Sequence, residues 1–160
     1  MDAGQILVAN HDDTQVIKLV GDVRLTLCVS FDKFIDSMFN GKMPCSVVFD
    51  LNQAEAIDST TLGLMAKIAI MTRERCDVVP VVFSTNSGIN RLLDTMGFDD
   101  IFEIVQEQHE FSKPCKHLCV GDLDEECAKE RVLEAHHILM QMNAANQEAF
   151  RDLVNTLEGR

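Results

Sequence analysis

Residues 46–71, SVVFDLNQAEAIDSTTLGLMAKIAIM, decide the fold. The run from Ser46 to Leu51 is short, apolar and β-branched, as a strand buried on both faces of a parallel sheet is, and it predicts a central strand. Gln53 to Asp58 reads as a link. Beyond it, Leu62, Met65, Ala66 and Ala69 trace one helical stripe, while Leu64, Ile68 and Met71 trace a second. A helix that is apolar nearly all round must be covered on more than one side.

Working outward, ILVANHD and TQVIKLVGDV flank the turn signal His11-Asp12-Asp13-Thr14 and predict an opening hairpin. Val29, Phe31, Phe34, Ile35, Met38 and Phe39 recur at three- and four-residue steps, and Gly41 and Pro44 stop that helix. On the other side, VVPVVFS (78–84) predicts a strand, NSGINRLLDTMG (86–97) a helix and DDIFEIV (99–105) a last strand. The order β-β-α-β-α-β-α-β needs crossover connections, so the expectation is an α/β single domain, a mixed central sheet covered by helices, over residues 1–110. FSKPCKHLCVGD is then a Pro- and Gly-punctuated link, and residues 123–157, free of both, predict a helical extension in one or two pieces. Residues 111–160 are thus a linker and helical extension.

Composition narrows the function. The chain has 160 residues, a formal net charge of -12 and 46% apolar residues, enough for a packed core. Of its acidity, 17 acids against 8 bases lie in residues 1–110. That field repels phosphate backbones and argues against nucleic acid as a partner. Leu62 to Met71, among the longest apolar runs, is interrupted by Lys67 and falls short of the roughly 20 residues of a membrane span. The opening MDAGQILVANHDD lacks the basic and apolar regions of a signal peptide, so a cytoplasmic address with no membrane partner is expected, and the six cysteines read as reduced thiols. There is no phosphate-binding glycine loop, no nucleophile elbow and no H-E-x-x-H pair. No nucleophile and base pair up along the sequence, which points to a binding module without cofactor rather than an enzyme. Cys115-Lys-His117-Leu-Cys119, with Cys127 and His136-His137, supplies zinc-type ligands, but C-x-H-x-C lacks the usual knuckle spacing and no metal site is expected.

The polar junction Ile57-Asp58-Ser59-Thr60-Thr61 crowds hydroxyls at a helix start, where backbone N–H groups and the helix dipole favour a phosphate. On chemistry alone a plain helix cap is the favoured reading over a regulatory phosphoserine. Three pieces, Gly21-Asp22-Val23, Asp58-Ser59-Thr60-Thr61-Leu62-Gly63, and Asn90-Arg91-Leu92-Leu93-Asp94-Thr95-Met96-Gly97-Phe98-Asp99-Asp100-Ile101-Phe102, occur in the order found in a known family. Over roughly residues 5–108 the sequence resembles the STAS-domain anti-sigma-factor antagonists. Thr61 stands where glycine is more usual and Asp22 where glutamate is common.

The resemblance implies a STAS-like fold and phosphorylation of Ser59 by a partner anti-sigma factor with serine kinase activity, reversed by a serine phosphatase. It implies a partner surface at Asp22, Asp58, Thr60, Thr61, Leu62, Gly63 and Leu64; the place of Leu62 and Leu64 beside Ser59 in the helix suggests them as its apolar floor. The unmodified protein would hold the anti-sigma partner and the phosphorylated protein would release it. With its tail EAHHILMQMNAANQEAFRDLVNTLEG, the chain looks like the HsbA-type antagonists, which act in partner switching between motility and biofilm formation. The alternative is a STAS ligand-binding or scaffold module in which Ser59 is only a cap. In the tail, Val132, Ala135, Leu139, Met142, Asn146, Ala149, Leu153 and Thr156 follow heptad-like steps. That stripe fits docking on the domain, the favoured reading, or a homodimer through the extension.

Overall fold

The computed structural model describes residues 4–42, 44–108, 116–118 and 124–159. A six-stranded mixed sheet runs in the order β5-β4-β3-β2-β1-β6. Strands β1 (Gln5–His11) and β2 (Thr14–Val23) form the expected hairpin. Asp12 and Asp13 turn it with φ of 48° and 66°, the left-handed pair that a tight hairpin turn requires and that short polar side chains tolerate. Strands β2, β3, β4 and β5 pair in parallel, and β1 pairs antiparallel with both its neighbours.

The predicted link Gln53–Asp58 is for the most part strand: β3 runs from Ser46 to Ile57, because the far end of β2 offers Gly21 to Val23 as a parallel edge for Ala54 to Ile57. β4 is shorter than expected, Val81–Phe83, since Pro80 at its start has no N–H for the ladder. β5 is also short, Glu103–Val105, the preceding Phe98–Asp100 forming a helical turn instead. A strand that sequence reading did not foresee, β6 at Lys116–His117, adds to the free edge of β1. The helices are α1 (Cys28–Asn40), α2 (Ser59–Cys76), α3 (Ser87–Thr95), α4 (Glu125–Met142) and α5 (Ala144–Leu157).

The extension folds back on the domain: α4 packs against α2 and α1, and α5 against α4. This explains how α2 can be apolar nearly all round, with Leu62, Leu64, Met65, Ala66, Ile68 and Ala69 at 1% exposure or less. A charged cluster fixes the crossing. The carboxylate of Asp32 on α1, its side chain 5% exposed, accepts from Lys67 Nζ at 2.8 Å and from Arg131 Nη1 at 2.6 Å, while Lys67 also reaches Glu134 at 3.1 Å. Burial alone would lower the pKa of Lys67, but its hydrogen bonds to Asp32 and Glu134 outweigh that and hold it above the ordinary lysine value.

The heptad-like stripe does not continue as one helix. Asn143, extended at φ −162° and ψ 166°, ends α4 and caps α5 by accepting from Asn146 N–H at 2.8 Å. The restart rotates the buried face, so Leu153 is 42% exposed and Val154 is covered instead. The Asn146 side chain, 2% exposed, donates to the carbonyls of Met96 and Leu139 at 2.9 and 3.0 Å. Asn143 reaches the same Met96 carbonyl at 3.3 Å. Gly97, at φ 80°, makes room: a Cβ there would lie 2.6 Å from the Asn143 amide nitrogen.

Candidate functional site

Asp58, not Ser59, caps α2. Its Oδ1 accepts from Thr61 N–H at 2.9 Å, and its Oδ2 accepts from Leu25 N–H at 2.7 Å. Its own N–H donates to Val23 O at 3.1 Å. One carboxylate therefore pins the start of α2 to the β2–α1 connection, where charge-assisted bonds to backbone N–H groups are strong. Asp22, the next-to-last residue of β2, pairs with the exposed Arg24 at 2.8 Å.

Ser59 is then the first residue inside the helix, and its hydroxyl is free of capping. It lies 2.8 Å from Nε2 of His136 on α4. The other ring nitrogen, Nδ1, lies 2.7 Å from the Val132 carbonyl, which only accepts. In the neutral ring Nδ1 therefore carries the proton, Nε2 presents its lone pair, and the Ser59 hydroxyl donates to it. His136 is 1% exposed and sits edge-on to Phe150, ring centroids 5.0 Å apart.

The neighbouring residues of the motif are inside. Thr60 and Thr61 are each 2% exposed, and Leu62 and Leu64 lie in the core. Gly63 is where α4 crosses: a Cβ at that position would come within 2.6 Å of the Ala135 carbonyl carbon. Only a residue without a side chain lets the two backbones approach so closely. Asp22, Asp58 and Ser59 keep partial exposure. Beside Ser59 a cavity of about 470 Å³ opens between α2 and the α4–α5 pair, its wall including Leu25, Val132, Leu153 and Leu157. Leu25 and Leu153 are 40% and 42% exposed at this opening.

A serine on an imidazole resembles a nucleophile with its base. Here the Asp58 carboxylate beside it already accepts from the Thr61 amide. His136 was legible only as half of the pair His136-His137, 77 positions from Ser59, and nothing local to either residue links them. Among the described residues no group of three metal ligands gathers, and Cys115 and Cys119 lie outside the described residues. Cys28, Cys45, Cys76 and Cys127 are free thiols.

Residues 5–111 match the model of the STAS domain. The chain belongs to the STAS domain family. Among solved structures, this STAS domain is similar to an anti-sigma factor antagonist from Mycobacterium paratuberculosis, with a TM-score of 0.52 and 21% identity over 65% of this chain and 86% of that one. At that identity the likeness speaks to the fold. Comparison with curated proteins finds no match. No helix among the described residues is long and apolar enough to cross a membrane. The matched region ends before α4, so the residue bonded to Ser59 comes from outside the STAS domain proper.

Proposed function

We propose that this STAS protein is an anti-sigma-factor antagonist of the cytoplasm, gated by phosphorylation of Ser59. The observation that carries the reading is the Ser59 hydroxyl at the start of α2, released from capping by Asp58. Transfer from ATP forms the Oγ–P bond as the bond to the departing ADP breaks, and the hydroxyl proton passes to the base of the kinase. The partner is an anti-sigma factor with serine kinase activity, and a serine phosphatase restores the hydroxyl. Asp22 and Asp58 belong to the partner surface around Ser59, and the buried Thr60, Thr61, Leu62, Gly63 and Leu64 support it from beneath. The modification adds about -1.5 to -2 charges next to Asp58. Because a tenfold loss of affinity needs only about 1.4 kcal/mol, that charge against a surface shaped for a hydroxyl suffices to release the partner. Resemblance to HsbA-type antagonists supports a role in switching between motility and biofilm formation.

Tandem mass spectrometry of the protein isolated from the cells that make it tests this. Phosphate on Ser59, absent from Ser59→Ala, is the expected result; phosphate mainly on Thr60 or Thr61 refutes it. The cavity beside Ser59 favours a second reading, a STAS ligand-binding or scaffold module without phosphoswitching. Unphosphorylated protein that co-purifies with a small molecule would favour it.

A further inference from the structure

The surface around Ser59 is already occupied by the chain itself. α4 crosses α2 at Gly63 with backbone almost on backbone, His136 takes the Ser59 hydroxyl, and the Asp32 cluster joins α1, α2 and α4. We propose that α4 is a releasable cover on the acceptor end of α2, latched by the Ser59–His136 bond and opened when Ser59 carries a phosphoryl group. This rests on the reading of Ser59 as the acceptor: the partner displaces α4 from the unmodified chain, and after phosphorylation the added charge, not the helix, keeps the partner off.

The space decides the sign. In the neutral ring His136 Nδ1 is spent on Val132, so Nε2 faces Ser59 as an acceptor and offers a phosphate oxygen no donor. Around the cavity stand the carboxylates of Asp58 and Glu125 and a wall of Leu25, Val132, Leu153 and Leu157, with Lys129 on the exposed rim as the remaining cation. A dianion there gains the dipole of α2 and the solvated Lys129, and meets the adjacent Asp58 carboxylate, the solvated Glu125 and an apolar surface. Lifting α4 takes Glu125 and Val132 away from the phosphoryl group, while Asp58 stays beside it. Once lifted, an 18-residue helix in water is only marginally stable, so its amides lose protection.

Hydrogen–deuterium exchange on the full chain tests the cover, comparing the unmodified protein, the protein with phosphoserine installed at position 59, Ser59→Ala and Gly63→Ala. Amides of residues 128–139 are expected to exchange at least tenfold faster in the phosphoserine protein and in Gly63→Ala, with strand 47–51 still protected. Ser59→Ala, which loses the bond but adds no charge, is expected to accelerate these amides less than the phosphoserine does. No acceleration in the phosphoserine protein overturns the proposal, even if Gly63→Ala fails to fold. Equal acceleration in Ser59→Ala overturns the role of the phosphoryl charge. Absence of phosphate at Ser59 in protein from its own cells refutes the acceptor reading separately and leaves the exchange result standing.

Discussion

Ser59 and His136 lie 77 positions apart and share a hydrogen bond of 2.8 Å, which ties the first turn of α2 to the middle of α4. The bond satisfies a buried ring nitrogen that water cannot reach, and so couples the state of one hydroxyl to the seating of a helix.

Replacing His136 by Phe keeps an aromatic ring against Phe150 and removes the acceptor. The net worth of one such bond is about 1 kcal/mol, so a modest fall in thermal midpoint is expected. Phosphate incorporation at Ser59 should rise, because the hydroxyl is no longer held. Calorimetry and intact-mass time courses measure the two effects.

Ser59→Ala leaves Nε2 of His136 without its donor, an unpaired buried group that costs about 1–3 kcal/mol and leaves a protein of ordinary stability folded. Asp58 still caps the helix. Ser59→Asp should bind the anti-sigma partner at least tenfold more weakly than Ser59→Ala, by the charge argument. Superimposable titration calorimetry curves for the two variants would reject this.

The alternation of elements was legible because each strand and helix carries its own period: SVVFDL reads as a buried strand and the stripes of α2 as a helix without knowledge of the rest. The length of β3 was not, since Gln53 to Ile57 become strand only through pairing with the end of β2. Asp58 and Ser59 were legible as a helix start, but which of them caps depends on Leu25 and Thr61 meeting the carboxylate. The bond to His136 and the clasp of Asn146 on Met96 are tertiary, and a heptad-like spacing across residues 132–156 hid the break at Asn143.

Asp32→Asn should be among the most destabilising single changes on the α1–α2–α4 side. It strips the shared carboxylate from Lys67 and Arg131, whose side chains are 15% and 25% exposed. Removing one partner from a largely buried ion cluster costs about 3 kcal/mol. Urea unfolding of the two proteins checks this, and a loss below 1 kcal/mol would mean that water replaces the carboxylate.

Cys28, 2% exposed, has its thiol pushed up to about 11, first by burial and then by Asp58 and Cys127. Its folded pKa lies above the ordinary 9.0, so the stability it carries is complete below pH 9 and declines as pH rises towards 11. With no Tyr in the chain, phenols add nothing in this window. The contribution of Lys67, held above the ordinary 10.5, is complete up to pH 10.5. Unfolding free energies from pH 8 to 10.5 should therefore fall more steeply for the natural chain than for Cys28→Ala. Parallel curves would show that the thiol ionises without resistance.

Residues 1–110 are proposed as a unit that folds without the extension, because every parallel strand pair and α1, α2 and α3 lie before residue 110. Truncation nonetheless uncovers a face built to be covered. Gly63 loses Ala135, Ser59 loses His136, and Asp32 and Lys67 lose Arg131 and Glu134. The shortened chain should keep its circular dichroism and unfold cooperatively at a lower midpoint. The exposed face of α2 should then draw copies together, since apolar surface that large rarely stays bare. Light scattering should show a mass above the monomer for residues 1–110 and not for the full chain. Unfolding without a cooperative transition would instead place α4 within the core, and the boundary near residue 110 would be wrong.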